Sequence, residues 1–222
     1  QAPAGRGPQP QPRGGGRSGC KPAGLMRVIA GRFRGRGLAA PGKGDPAAHL
    51  RPTADRVRES LFNVLCQGAL GNVVAGARVL DVFAGTGALG LEALSRGAQA
   101  VCFVENGAPA LRLIRANIAR CGAEAETAVL ARDATRPGPC TGAPFTLVFL
   151  DPPYGKGLGE RALQALLRGG WLAPGGLIVW EEGGAITPPP GCVLLDERAY
   201  GATRMRILRH EGGAQAGGEA EG

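Results

Sequence analysis

Residues 81–90, Asp81-Val82-Phe83-Ala84-Gly85-Thr86-Gly87-Ala88-Leu89-Gly90, end one short apolar run and open a stretch with helical spacing. Gly85, Gly87 and Gly90 fit the G-x-G-x-x-G pattern of a strand-to-helix turn, in which the backbone must come close to a ligand and the helix must pack tightly on the sheet. Working outward, further apolar runs cover 79–83, 100–104, 127–130, 145–150 and 177–180. Helical spacing fills the gaps at 89–95, 111–118 and 162–167, with Leu111, Ile114 and Ile118 on one face. Strands that are apolar throughout and alternate with helices predict an α/β protein with a mainly parallel, doubly wound sheet covered on both sides. Two more strand-like stretches, 192–195 and 203–208, lie close enough to pair as an antiparallel hairpin.

The glycine spacing by itself also serves dinucleotides, and Glu105 lies 20 residues beyond Gly85, where a ribose-binding acid is expected in either case. Asp81 separates the two. A pyrophosphate against this turn would be repelled by an adjacent carboxylate, whereas S-adenosylmethionine carries an ammonium and a sulfonium that a carboxylate favours. Asp81 and Glu105 both fall at carboxyl ends of strands, the ligand edge of an open sheet. Asp133, after the third run, has two readings of equal standing: an acceptor for the adenine amine, or a loop aspartate capping a turn.

The fourth run, FTLVFL, ends in Asp151-Pro152-Pro153-Tyr154. Two successive prolines fix φ and hold the carbonyls of the turn rigid. An exocyclic amine on a base is a poor nucleophile because its lone pair is delocalised into the ring. The Asp151 carboxylate and the Pro152 carbonyl suit its two N–H groups, and Tyr154 suits stacking on an extruded base. A lone D-P-P-Y reads equally well as an ordinary turn. Two strands after a glycine loop of the Asp81 kind, the catalytic reading prevails, and it calls for no metal.

Residues 1–60 hold 12 of the 26 Lys and Arg but 3 of the 18 Asp and Glu, so the formal charge of +8 belongs to the N-terminal part. A localised basic surface suits a polyanion such as RNA. Within it, 1–25 reads as a disordered basic tail rich in Gly, Pro and Gln, and 26–38 (MRVIAGRFRGRGL) as an exposed hairpin around Gly31 that places Arg32, Arg34 and Arg36 on one face. Val57, Leu61, Val64 and Leu65 then mark a helix, with Thr53 as its N-cap and with Arg56 and Glu59 off the buried stripe. The six cysteines are scattered without a C-x-x-C pair, no run is long enough to span a bilayer, and no signal-peptide pattern opens the chain, which together predict a cytoplasmic protein with reduced thiols.

The segments MRVIAGRFRGR, RPTADRVRESLFNVL, DVFAGTGALGLEALSRGA, FVEN and DPPYGKGL, in this order, resemble the RsmD-type 16S ribosomal RNA guanine-N2 methyltransferases from about Met26 to Leu208. The resemblance implies a class I S-adenosylmethionine methyltransferase fold with a small N-terminal hairpin and helix, acting on a guanine of the small ribosomal subunit; nothing in the sequence suggests an obligate oligomer, so a monomer is expected. Methyltransferase residues then cover 26–210, with 26–67 as an RNA-binding extension, 77–210 as the catalytic core and 211–222 as a disordered tail. The resemblance implies cofactor contacts from Asp81, Phe83, Gly85, Gly87, Glu105, Asn106, Asp133 and Thr53. It gives the catalytic turn to Asp151, Pro152 and Tyr154, and RNA contacts to Arg32, Arg34, Arg36, Arg51 and Arg56; Arg58 shares the N-terminal motif, which is expected to lie over the cofactor pocket. Pro109 fits only in the first turn of the helix after Glu105.

Three other functions fit parts of the pattern. A DNA adenine or cytosine amino-methyltransferase shares the D-P-P-Y turn, but no target-recognition domain is evident. A non-catalytic RNA-binding assembly factor would have little use for Asp81 and Asp151. An NAD oxidoreductase meets the objection raised by Asp81.

Overall fold

The computed structural model describes residues 26–41, 55–201 and 203–212. The expected tail 1–25, residues 213–222 of the expected tail 211–222, Arg51 and Thr53 with its proposed cap lie outside these residues, whereas Glu211 still donates its N–H to the Gly191 carbonyl at 2.9 Å. Helix α1 (Asp55–Gln67) precedes β1 (Arg78–Val82), α2 (Ala88–Ser95), β2 (Ala100–Glu105), α3 (Ala108–Cys121), β3 (Thr127–Ala131) and β4 (Phe145–Leu150). Helix α4 (Leu158–Arg168) and strands β5 (Leu172–Glu182), β6 (Cys192–Tyr200) and β7 (Thr203–His210) follow.

The seven strands form one sheet in the order β3-β2-β1-β4-β5-β7-β6. The first five pair in parallel, and β7 runs antiparallel to both β5 and β6. The chain therefore winds outward from β1 to β3, returns to the middle as β4 and winds the other way. That reversal between β1 and β4 opens a crevice at their carboxyl ends, where open α/β sheets bind ligands.

Successive strand residues feed two separate cores. Val79, Val101, Phe103, Leu147, Phe149 and Val179 pack with α1, α2 and α3 on one face. On the other face, Leu80, Val82, Val104, Val148, Leu150 and Ile178 pack with Leu163 and Leu166 of α4. Burying both faces explains the uninterrupted apolar runs. Pro109 sits in the first turn of α3, where its missing N–H costs no hydrogen bond, and Gly122 in the left-handed region stops the helix.

The N-terminal hairpin is reduced to a single antiparallel bridge, Arg27 to Gly37. It is not an exposed ribbon, since Met26, Val28, Phe33 and Leu38 join the first core beside Leu61, Phe62 and Leu65. Its anchor is α2. Glu92, fully buried, accepts the N–H groups of Ile29 (2.7 Å) and Ala30 (3.1 Å) and pairs with Arg96 at 2.7 Å. Ser95 Oγ accepts the Phe33 N–H at 2.9 Å and donates to the Ala30 carbonyl. A Cβ on Gly31, whose φ is 78°, would lie 1.8 Å from the Ser95 carbonyl oxygen, so only glycine fits there.

The three hairpin arginines do not share a face. Residues 31–36 form consecutive turns, with Arg34 N–H on the Gly31 carbonyl and Arg36 N–H on the Phe33 carbonyl, so strand alternation does not govern them. Arg32 and Arg36 flank the Phe33 ring at 4.4 and 5.6 Å. From there Arg32 reaches Glu126 at 2.7 Å and Arg36 the Arg120 carbonyl at 2.6 Å. Arg34 instead borders a groove of about 330 Å³ with Arg27, Asp55 and Glu59.

Candidate active site

At the crevice the cofactor loop is shaped by backbone conformations that ordinary side chains avoid. Phe83, Gly85 and Gly87 have φ of 58°, 56° and 76°; Phe83 is the non-glycine residue with positive φ among the described residues. Holding a phenylalanine there costs on the order of 1–3 kcal/mol, the kind of strain retained where a loop must keep one shape. Gly90 answers a different need. A Cβ there would sit 2.5 Å from Phe103 and 2.7 Å from Val101, so the missing side chain lets α2 lie against the sheet.

That close approach brings the Gly90 N–H onto Asp81 Oδ2 at 2.9 Å. Asp81 is 2 % exposed, and burial pushes its carboxyl up to about 7 despite that hydrogen bond, with Glu105 adding to the rise. Glu105 is held by backbone donors, accepting Gly85 N–H (3.1 Å) on one oxygen and Asn106 (2.9 Å) and Gly107 (2.7 Å) N–H on the other. The side chain thus clamps the glycine loop to the end of β2. Asn106 is exposed beside it. Asp133 is exposed too, and its Oδ1 accepts both the N–H and the hydroxyl of Thr135 at 2.8 Å, which is the turn-capping arrangement.

Across the crevice, β4 ends and Asp151 donates its N–H to the Val82 carbonyl at 3.4 Å, tying the turn 151–154 to β1. Loss of hydration raises the Asp151 carboxyl well above the usual range, and the charges of Glu181, Asp81 and Glu182 raise it further. Pro152 is buried and Pro153 exposed. Tyr154, 45 % exposed, donates its hydroxyl to Glu181 Oε1 at 2.8 Å and shares a bond of 3.0 Å with Thr203 Oγ1. Burial pushes the phenol up, and it stays protonated through the working range.

Asp81, Glu105 and Asp151 therefore meet at one edge, joined by the two acids at the end of β5. Asp81, with one backbone donor, and Asp151, crowded by other acids, favour a cationic ligand, since an opposite charge lowers the cost that burial imposes. S-adenosylmethionine, with its ammonium and sulfonium, fits a crevice of this charge, and the glycine-lined loop 83–87 leaves room for close approach.

The N-terminal arginines divide. Arg56 is exposed on α1. Arg58 is fully buried, bonded to Asp55 (2.9 Å) and the Arg27 carbonyl and lying 3.8 Å from Glu92. It belongs to the seam between hairpin, α1 and α2 rather than to a surface over the cofactor. Sequence reasoning missed Glu92, Asn117, Glu181, Glu182 and Thr203. Glu181 and Glu182 follow the apolar LIVW of β5 as Asp81 and Glu105 follow theirs, so the same strand-end rule would have found them. Buried Asn117 accepts the Ala39 N–H at 2.6 Å and donates to the carbonyls of Ala39 and Thr86, joining the N-terminal segment to the cofactor loop.

The family model described as conserved hypothetical protein 95 matches residues 26–209. Ribosomal RNA small subunit methyltransferase D of Escherichia coli strain K12 is 38% identical over 192 residues, covering 85% of this chain and 92% of the relative. The Haemophilus influenzae protein of that name is 34% identical, covering 84% of this chain and 95% of its own. The chain belongs to this methyltransferase family. A solved Escherichia coli structure, yhhF, superposes with a TM-score of 0.71 at 38% identity, covering 85% of this chain and 99% of that one. The sheet order, family and fold are those of class I methyltransferases, and the cofactor is S-adenosylmethionine. Among the described residues no helix is long and apolar enough to cross a membrane, and no His, Cys, Asp and Glu group is arranged to hold a metal ion.

Proposed function

We propose that the protein methylates the exocyclic N2 amine of a guanine in 16S ribosomal RNA, acting as a cytoplasmic monomer on the small ribosomal subunit. The observation that carries this reading is the catalytic turn 151–154 tied to β1 across the switch point, with Asp151 facing the same crevice as Asp81. The names of the relatives support ribosomal RNA as the substrate class. The choice of guanine N2 rests on the resemblance of the ordered motifs, because the turn itself suits any exocyclic amine.

When bound, S-adenosylmethionine supplies an electrophilic methyl group on a sulfonium. The chain's part is to prepare the amine. Asp151 and the Pro152 carbonyl accept its two N–H groups, which turns the lone pair out of the base plane and stabilises the positive charge that grows on nitrogen. Tyr154 stacks on the base. Asp81, Glu105 and the glycine loop hold the cofactor, together with Phe83, Asn106, Asp133 and Thr53. Arg34 and Arg56, with Arg51, Arg32 and Arg36, contact phosphate.

Labelled cofactor offered with small ribosomal subunits or with duplex DNA tests the substrate class. Label on the subunits is the expected result; label on DNA alone points to a DNA amino-methyltransferase. Asp151→Ala is expected to lower transfer by at least about 100-fold, the scale for losing a preorganised acceptor, while cofactor binding persists. Retained turnover refutes the role of Asp151, and absence of transfer by the unaltered protein favours a non-catalytic assembly factor.

A further inference from the structure

We propose that Glu181 and Thr203 are positioning residues for the catalytic turn, fixing the Tyr154 ring where the target base must stack. The inference rests on the methyltransferase reading above and extends it to residues at the end of β5 and the start of β7.

Tyr154 needs such support. It lies in an irregular segment between β4 and α4, and Gly155 and Gly157, just beyond it, have φ of 73° and 59°. With 45 % of its surface exposed, packing alone does not immobilise the ring. What holds it is its hydroxyl. A phenol has one proton to give, and here it goes to Glu181 at 2.8 Å, so the 3.0 Å bond with Thr203 is donated by the threonine. The chain of donors runs from Thr203 through Tyr154 to the Glu181 carboxylate, and each bond polarises the next.

The anchors themselves belong to the sheet ladder. Glu181 is 8 % exposed and pairs with Met205 across β5 and β7. The β4–β5 register ends at Leu150 opposite Trp180, which brings Glu181 level with Asp151. One carboxylate therefore grips Tyr154 and faces Asp151, the two ends of the tetrapeptide. Thr203 is the ladder partner of Tyr200, whose hydroxyl bonds Ser60 of α1 at 2.8 Å. The β6–β7 turn thus clasps the catalytic turn on one side and the N-terminal helix on the other. A ring ordered beforehand loses less entropy when a base arrives and keeps that base aligned with the methyl donor.

The chain has two tyrosines, so 3-fluorotyrosine gives two fluorine resonances, and Tyr200→Phe assigns them. Glu181→Ala and Thr203→Val are expected to move the Tyr154 resonance toward that of an exposed, freely flipping ring. Glu181→Gln keeps an acceptor and is expected to leave the resonance near its original place. Thr203→Val, at a strand end, decides the matter if Glu181→Ala does not fold. In turnover, Glu181→Ala is expected to lower kcat by about tenfold or more, and Thr203→Val, which leaves the acid cluster intact, to lower kcat with cofactor Kd unchanged within about twofold. Removing the Glu181 charge leaves Asp81, Glu182 and Tyr154 facing Asp151, so Glu181→Gln is expected to shift the acid limb of the pH–rate profile to lower pH.

A Tyr154 resonance indifferent to both Glu181→Ala and Thr203→Val overturns the proposal, and an unmoved acid limb removes Glu181's influence on Asp151. The fluorine measurement needs no RNA. If the unaltered protein methylates no RNA, the proposed function fails while the ring measurement still decides the positioning.

Discussion

Glu92 is fully buried and Asp151 half-buried, and the surroundings of the two acids differ in kind. Glu92, on the cofactor helix, meets two backbone N–H groups, Arg96 and the nearby Arg58. Asp151, at the end of β4, faces Glu181, Asp81 and Glu182, and its carboxyl is pushed well above its ordinary range. A buried carboxylate surrounded by donors holds a fold together; one surrounded by other carboxylates is destabilising until a ligand supplies the missing charge and donors. The seam between the N-terminal hairpin and α2 is of the first kind and the crevice of the second.

The largest effect that separates the two regions is on stability. Glu92→Ala leaves Arg58, Arg96 and two N–H groups facing an apolar seam, and is expected to cost about 3–5 kcal/mol in urea unfolding. A loss near zero would break the assignment of Glu92 as structural. Gly31→Ala should come next, at on the order of 2–3 kcal/mol, because the new Cβ meets the Ser95 carbonyl at 1.8 Å in a left-handed residue. Only a shift of the hairpin off α2 would spare that cost, and it would appear as weakened protection of the Phe33 amide in hydrogen exchange.

In the crevice the expected effect is pH-dependent. Asp81's folded-state carboxyl lies near 7, above its ordinary 3.8, so its contribution to stability is full below about pH 4 and is lost as pH rises through 7. A cationic ligand binds the ionised form, so cofactor affinity is expected to rise over the same window, by up to about tenfold per pH unit. Asp81→Asn should bind more weakly and without that slope; titration calorimetry at pH 5, 6, 7 and 8 measures both. A wild-type affinity flat across this range would contradict the crowded-carboxylate account. Smallest is the surface term. Arg34→Glu is expected to make the slope of log affinity for RNA against log salt shallower, by about 0.7–0.9 for each phosphate it no longer neutralises. Arg32, paired with Glu126, makes a poorer probe because its reversal also breaks an ion pair.

The sheet was legible because its strands are apolar on both faces and its helices interrupt them regularly; 145–150 lies where the pattern put it, and the two C-terminal runs pair antiparallel as expected but as longer strands, Cys192–Tyr200 and Thr203–His210. Glu105 and Asp151 were legible for a related reason, being polar residues at the abrupt ends of apolar runs, and Asp81 because the glycine loop follows it directly. The hairpin arginines were misplaced because alternation was read as a strand where the backbone makes turns. Arg58 was expected over the cofactor pocket with the rest of its motif because nothing in its helix announces that Glu92, 34 residues onward, lies beside it in a buried seam. Such pairings come from tertiary packing, as does the Tyr154–Glu181–Thr203 chain, whose members are far apart in sequence and adjacent only after β5 and β7 pair.

The most direct test of the proposed reaction is the identity of the product. Small ribosomal subunits lacking base methylation, incubated with labelled S-adenosylmethionine and the full chain, are digested to nucleosides, and the labelled species is identified by chromatography and mass. N2-methylguanosine is the expected product, at one site per subunit. Label in any other nucleoside, or none on RNA despite cofactor binding, would contradict the proposal.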